Sequence, residues 1–339
     1  MGVRKTDILW ILLAVVASVW SGGCSKDEAL PKSDNAKADE QYVLPDLAPP
    51  ALLQEVGEIT RAGESVLLRY KPDRAARYQV KLHQSSAQLR SGRRLEMGTE
   101  QTFTLAGELE DTEVGRWLMQ YRISDLKVTP DKASRDKEMA EAVRAIRDAI
   151  LKVRFKVRLD GVGVIHEFSA EGGDLSRWAG LEDVLEQLIK DSVVELPDKA
   201  VSPGESWLKK RSTDVKKRKT INKIEAELTT TFEGMAVLPG ACRRCAVLRT
   251  RGEFTITGEV VAPGLEGQTS GRGRSDAVAV LDLDAGRLVR NETGAVNVQK
   301  YALAGSLEGK KGTMSFEEEM STRFVQTWQP PGEGPADKK

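Results

Sequence analysis

Along most of this chain apolar and polar residues alternate singly, the two-residue period of a strand with one buried face. Tyr78, Val80 and Leu82 stand against Arg77, Gln79, Lys81 and His83. Trp117, Met119, Tyr121 and Ile123 form a second row. Its phase slips by one at Ser124–Asp125 before Leu126 and Val128 carry it on, which predicts a bulge. Val153, Phe155, Val157 and Leu159 alternate with Arg154, Lys156, Arg158 and Asp160, and Gly161-Val162-Gly163 then turns the chain into Val164–Ser169. In the second half, Ile224, Ala226, Leu228, Thr230 and Phe232 share a face, and Ala246–Val261 reads as a long strand with Phe254 and Ile256 inward. Asp276–Leu283 and Arg287–Thr293 make a hairpin about Asp284-Ala285-Gly286, followed by Val296–Leu303 and Met314–Val325.

Two stretches follow a helical period instead. In Asp131–Lys152, Met139, Val143, Ile146 and Ile150 recur at three- and four-residue spacing and share one face. Leu175–Val194 does the same with Trp178, Leu181, Leu185, Leu188 and Ile189, with Asp174 as its N-cap. Strand after strand joined by short turns implies antiparallel pairing. The predicted fold is mainly β (α+β): a large curved antiparallel sheet or partly closed barrel, with the two helices covering one apolar face. This body spans 57–328, in halves 57–195 and 196–328 about the Pro- and Gly-punctuated connector Leu196–Trp207.

The ends of the chain are of another kind. Arg4 and Lys5 precede the apolar run Ile8–Ala17, and Ser21, Gly22 and Gly23 lead into Cys24. A charged start, a short apolar centre and a small-residue exit are the layout of a secretory signal over 1–23. The centre is shorter than the roughly 20 residues a membrane-spanning helix needs. Ser21-Gly22-Gly23-Cys24 resembles the lipobox of bacterial lipoproteins, which implies that Cys24 is acylated and becomes the mature N-terminus, a palmitate-bearing membrane anchor. Residues 24–56 are polar, charged and proline-dotted and read as a lipidated disordered tether, and 329–339 as a disordered tail. Ser25 after the cysteine resembles outer-membrane sorting, so the expected place is the cell envelope, on an outer membrane facing the periplasm or the cell surface.

Composition narrows the function classes. Lys and Arg total 51 against 51 Asp and Glu, which excludes a chain built to coat nucleic acid. Two histidines are too few for most multi-histidine metal sites, and no cofactor motif is present. Cys242-Arg243-Arg244-Cys245 has redox-pair spacing, but it follows Pro239-Gly240 and precedes a strand, so a local disulfide in an oxidising compartment is the better reading. Gly204-Glu205-Ser206-Trp207-Leu208 lacks the closing glycine of a nucleophile elbow. His83 falls on the polar face of its strand, and neither it nor His166 has an evident acidic partner. Gly271-Arg272-Gly273-Arg274 lacks the Lys-Ser/Thr of a phosphate loop and reads as a turn. Lys209, Lys210 and Arg211 with Lys216, Lys217, Arg218 and Lys219 form the densest basic cluster, able to touch an anionic surface or to act as a solvated edge that blocks aggregation.

Pro203-Gly204-Glu205-Ser206-Trp207 and the Asp-x-x-x-Gly-Arg-Leu pattern of Asp282–Leu288 resemble recurrent features of a family of exported, β-rich bacterial lipoproteins. The outline, a sheet capped by helices, is similar to periplasmic lipid and lipoprotein carriers, whose concave side holds acyl chains. Together these imply a non-enzymatic envelope lipoprotein that binds an apolar ligand or a protein partner. The alternatives are a structural or assembly scaffold without a small-molecule ligand and, least favoured, a hydrolytic enzyme.

Overall fold

A computed structural model describes residues 42–61, 63–90, 93–130, 137–173, 181–217, 220–262, 265–307 and 310–330. The strands are β1 Ala75–Arg90, β2 Arg93–Glu113, β3 Arg116–Pro130, β4 Arg154–Asp160, β5 Ile165–Glu171 and β6 Ser206–Lys217. They continue with β7 Thr220–Leu238, β8 Cys242–Ala262, β9 Leu265–Asp282, β10 Arg287–Leu307 and β11 Lys310–Trp328. Helix α1 is the single turn Leu52–Glu55, α2 is Lys137–Ile150 and α3 is Leu181–Asp191. All strands form one antiparallel sheet in the order β5-β4-β3-β2-β1-β11-β10-β9-β8-β7-β6. The two halves of the chain are thus two meanders joined where β1 pairs with β11, from Tyr78 opposite Trp328 to Leu89 opposite Glu317. The sheet does not close: β5 and β6 are its edges.

Period-two patterning divides the sheet into two faces. The inner face buries Val80, Leu82, Phe103, Leu105, Trp117, Met119, Phe155, Val157 and Phe324 against Leu185, Leu188 and Ile189 of α3. Burying one such large side chain contributes roughly 1.5–3 kcal/mol. Here the sheet curls into a trough. The Leu196 amide donates to the Val162 carbonyl in the β4–β5 turn, while the β6 indole of Trp207 donates to the adjacent Glu195 carbonyl. Both sheet edges therefore meet the same short segment. Residues 66–71 cross this end as well: Val66 pairs with Val201, and the Tyr70 and Lys71 amides donate to the carbonyls of Gly161 and Gly286.

The Ser124–Asp125 phase slip is a bulge, with Asp125 at φ 55° and the β2–β3 register shifting beside it. Strand β2 escapes the apolar pattern because its inward positions include Thr99, Gln101 and Gly107. Gly271–Arg274, read from sequence as a turn, lies inside β9. Its glycines are needed there: a Cβ at Gly273 would fall 2.1 Å from the Phe254 ring, and one at Gly271 would fall 2.9 Å from Gln299. The N-cap and first turns expected over 131–136 and 174–180 lie outside the described residues, as do 1–41 and 331–339.

Residues 42–56, read from sequence as part of an unstructured tether, instead run along the outer face of the sheet. Tyr42 donates to the Ser270 hydroxyl at 2.9 Å, Arg274 donates to the Pro45 carbonyl at 2.9 Å, and Glu55 pairs with Arg290. Leu52 and Val56 pack on Cys245, Val247, Val278, Val280 and Val289. That covering explains why Ala246–Leu248 and Val278–Leu281 are continuously apolar: they are buried on both faces. The pin is Glu292, only 2% exposed, which accepts from the Ala51 and Leu52 amides at 3.1 and 2.9 Å and from the Arg323 guanidinium at 2.6 Å. Replacing Glu292 by Ala strands both amides and is expected to cost about 2–3 kcal/mol. Urea denaturation checks the cost, and hydrogen exchange at residues 51–56 should accelerate well before the sheet opens.

Candidate binding trough

Away from its apolar end, the inner face of the central strands becomes polar. Gln326 and Thr322 of β11, Asn291, Thr293, Asn297 and Gln299 of β10, and Ser275 and Thr269 of β9 all share that face by register and are all buried. Thr99 and Gln101 of β2 and Asn222 of β7 extend the band sideways. Ordinary strand patterning puts such residues toward solvent. Buried polar atoms are normally paired, yet Thr99 Oγ1, Asn222 Oδ1, Thr269 Oγ1, Ser275 Oγ, Asn291 Oδ1 and Gln326 Oε1 have no protein partner.

The rest of the band is organised. Tyr301 stacks on Phe316 with centroids 4.5 Å apart and donates to Gln299 at 2.8 Å. Burial pushes its phenol well above the ordinary range, and Glu318 beside it adds to that shift. Toward the apolar end the Asn291 amide donates to the Asp191 carbonyl at 3.1 Å. Burial raises the Asp191 carboxyl well above the usual carboxylate range, against the pull of Arg211, Gln187 and Lys190. Burial likewise lowers the Arg211 guanidinium, which Asp191 opposes. The apolar end itself is filled. A cavity of about 60 Å³ remains there, among Tyr70, Tyr78, Tyr121, Trp117, Arg287 and their neighbours, and burial pushes the Tyr121 phenol up to about 12. On the opposite, outer face a groove of about 530 Å³ opens between Pro45 and strands β11, β1 and β2, with His83, Arg94, Glu96 and Glu319 on its walls.

The sequence candidates are dispersed. Successive residues of β6 face opposite ways: Lys209 and Arg211 point inward and pair with Glu195, while Lys210 pairs with Glu227 outside. The cluster is therefore not one patch on the described part of β6. Lys216 and Lys217 end that strand, and Arg218 and Lys219 lie outside the described residues, as does Cys24. Cys242 and Cys245 are joined as a disulfide at the start of β8. His166 does have an acidic partner, unlike the expectation: its Nε2 is 2.8 Å from Asp160 Oδ2. The Ser206 hydroxyl lies 2.8 Å from the Thr231 hydroxyl. No group of three metal-ligating side chains occurs among the described residues. The polar band itself escaped sequence reading because Thr, Ser, Asn and Gln on alternate positions look like a solvated face.

No family model matches this chain, and no curated protein matches it. Solved structures that align with it include Neisserial surface protein A, at 8% identity over 75% of this chain and 99% of that one, with TM-score 0.19. Others are Pseudomonas aeruginosa OccK2, at 7% identity over 76% and 98% with TM-score 0.21, and a mutant of the Rh. blastica porin, at 8% over 75% and 100% with TM-score 0.21. At such scores the chains do not superpose as wholes, so these likenesses carry nothing about membrane insertion, ligand or location.

The Asp160 turn yields a pH test. Burial acts to raise the Asp160 carboxyl, but His166 and the amides of Val164 and Val162 together hold it below the ordinary range. A folded-state value below the unfolded one stabilises the protein above about pH 4 and is lost as pH falls through the folded value. Asp160→Asn should therefore be about 1 kcal/mol less stable than wild type at neutral pH. The gap should close on acidification, as thermal melts across pH will read.

Proposed function

We propose that the chain is a non-enzymatic lipoprotein of the cell envelope, fastened through acylated Cys24 to an outer membrane, and that it holds a ligand in the polar part of its trough. The observation that supports binding is the set of buried, unpartnered atoms on the inner face, Asn222 Oδ1, Thr269 Oγ1 and Ser275 Oγ among them. Each such atom costs roughly 1–3 kcal/mol if nothing meets it. A molecule bearing hydroxyls or amides along its length removes that cost. An acyl chain finds less to favour it: the cavity at the apolar end, about 60 Å³, is far below the roughly 300–1,000 Å³ of small-molecule sites. The anchor rests on the Met1–Cys24 pattern, and the Cys242–Cys245 disulfide fits an oxidising compartment.

A second reading, docking on another envelope protein without a small ligand, is favoured by the outer groove beside Pro45. Native mass spectrometry of protein extracted from membranes separates the two. Wild type should carry a bound mass, and Asn222→Leu with Thr269→Val should lose it while melting no lower than wild type, because two orphaned polar atoms are gone. A wild type that carries no small molecule overturns the ligand reading. Labelled palmitate that fails to enter the chain, with Cys24→Ala leaving fractionation unchanged, overturns the anchor.

A further inference from the structure

Antiparallel alternation sends the β1–β2, β6–β7, β8–β9 and β10–β11 hairpins to one end of the sheet, opposite the end crossed by residues 66–71. The last two rungs of each hairpin there are Leu89–Arg94 with Arg90–Arg93, Lys216–Ile221 with Lys217–Thr220, Val261–Glu266 with Ala262–Leu265, and Ser306–Lys311 with Leu307–Lys310. Those positions hold seven basic residues and one acidic residue, Glu266; of the seven, Arg94 is ion-paired with Glu96 and Glu319. The hairpin without a basic residue is apolar at Val261, Ala262 and Leu265. The β1–β2 tip is set back along the flank of β11, since Leu89 pairs with Glu317. At the crossed end the matching rungs balance, with Arg116, Arg158 and Arg287 against Glu113, Glu167 and Asp282. A nearly neutral chain has thus gathered positive charge at one end of its sheet.

A second observation is independent of charge. The described N-terminal segment runs from Tyr42 on Ser270, in the half of β9 nearer this same end, through Pro45 and Leu52 toward the crossed end, where Thr60 pairs with Met235. Tyr42 follows Cys24 by eighteen positions, so an anchor at that cysteine lies within about 60 Å of Tyr42.

We propose that this end is the membrane-facing surface of the protein, and that its basic hairpin ends, with the apolar β8–β9 tip between them, rest on anionic phospholipid headgroups. Several Lys and Arg residues with an apolar tip are the composition that holds a protein at a charged lipid interface, and each charge adds to the attraction within a Debye length. The trough then opens toward the bilayer, and the end crossed by 66–71 points away from it. This orientation builds on the anchor at Cys24 but not on any ligand in the trough.

The test uses the full acylated protein in vesicles, with a fluorophore on Ala262→Cys at the basic end or on Val237→Cys near the crossed end, read by quenching from headgroup-labelled lipid. Flotation with neutral phosphatidylcholine vesicles reports the anchor alone. With phosphatidylglycerol added, the label at 262 should be quenched strongly and the label at 237 should not, and high salt should release the first. Reversing Lys216, Lys217, Lys310 and Lys311 to Glu should lower the preference for anionic over neutral vesicles by about tenfold or more, while Arg243→Glu with Arg244→Glu leaves it unchanged. Equal quenching at both ends, or a reversal variant that behaves as wild type, overturns the orientation. Failure to float with neutral vesicles, with salt-sensitive quenching at 262 retained, would remove the anchor and leave the basic surface standing.

Discussion

The pairing of β1 with β11 is the constraint on which the molecule depends. Residues 78 and 328 are separated by almost the whole body, yet their alignment sets which side chains of both meanders share a face. A one-residue slip there would turn Val80 and Leu82 away from Phe324 and put the charged row of β1 into the trough. The register is fixed by what each face buries: Leu82 lies opposite Phe324 inside, while Arg323 reaches Glu292 outside. Contacts so distant in sequence are entropically expensive to close. Once closed, they make one cooperative sheet of what would otherwise be two marginal ones.

That seam also explains the division of the trough. Close to the crossed end, α3 and the segment through Leu196 fill the curl with aliphatic and aromatic side chains, and both sheet edges are tied to the same few backbone groups. Farther along, the strands of the second meander outrun those of the first, and the inner face is furnished with amides and hydroxyls instead of Leu and Phe. Gly271 and Gly273 belong to that change: their missing side chains admit Gln299 and Phe254 close to the β9 backbone. A core built only for stability would fill such space with aliphatic side chains rather than leave polar atoms unpaired.

The strands with clean alternation were legible in the sequence, as was the bulge at Ser124–Asp125, because each apolar row buries one face. Legibility failed where the inward row is itself polar. Strand β2 and the first half of β9 carry Thr, Gln, Ser and Gly inward, and a pattern of small polar residues reads equally as turn or solvated surface. The basic run on β6 is divided between the two faces of the sheet. Proximity along a strand puts neighbours on opposite faces, so Lys209 and Lys210 serve different ion pairs. His166 gained its partner only through the Asp160 turn, six residues away, where the hairpin folds the imidazole back onto the carboxylate. The N-terminal segment was hidden because proline-dotted, polar sequence gives no sign that two residues, Leu52 and Val56, have an apolar groove waiting on the outer face of β8 and β9.

That groove gives the N-terminal segment a mechanical consequence. An N-terminal segment free of the sheet would let the body tumble at any angle to it. Here the segment is pinned at several points along the length of the sheet: by Ser270 near one end, by Arg274 and Glu292 in the middle, and by Met235 at the other. Pull applied through residue 42 therefore acts on the hairpin end of the sheet, not on its crossed end. The buried carboxylate of Glu292 makes the attachment specific rather than merely adhesive, since the two amides at 51 and 52 and the Arg323 guanidinium converge on it from different elements. Double-sided burial of parts of β8 and β9 follows from the same arrangement: strands that wall the trough on their inner face are clamped from outside by Leu52 and Val56.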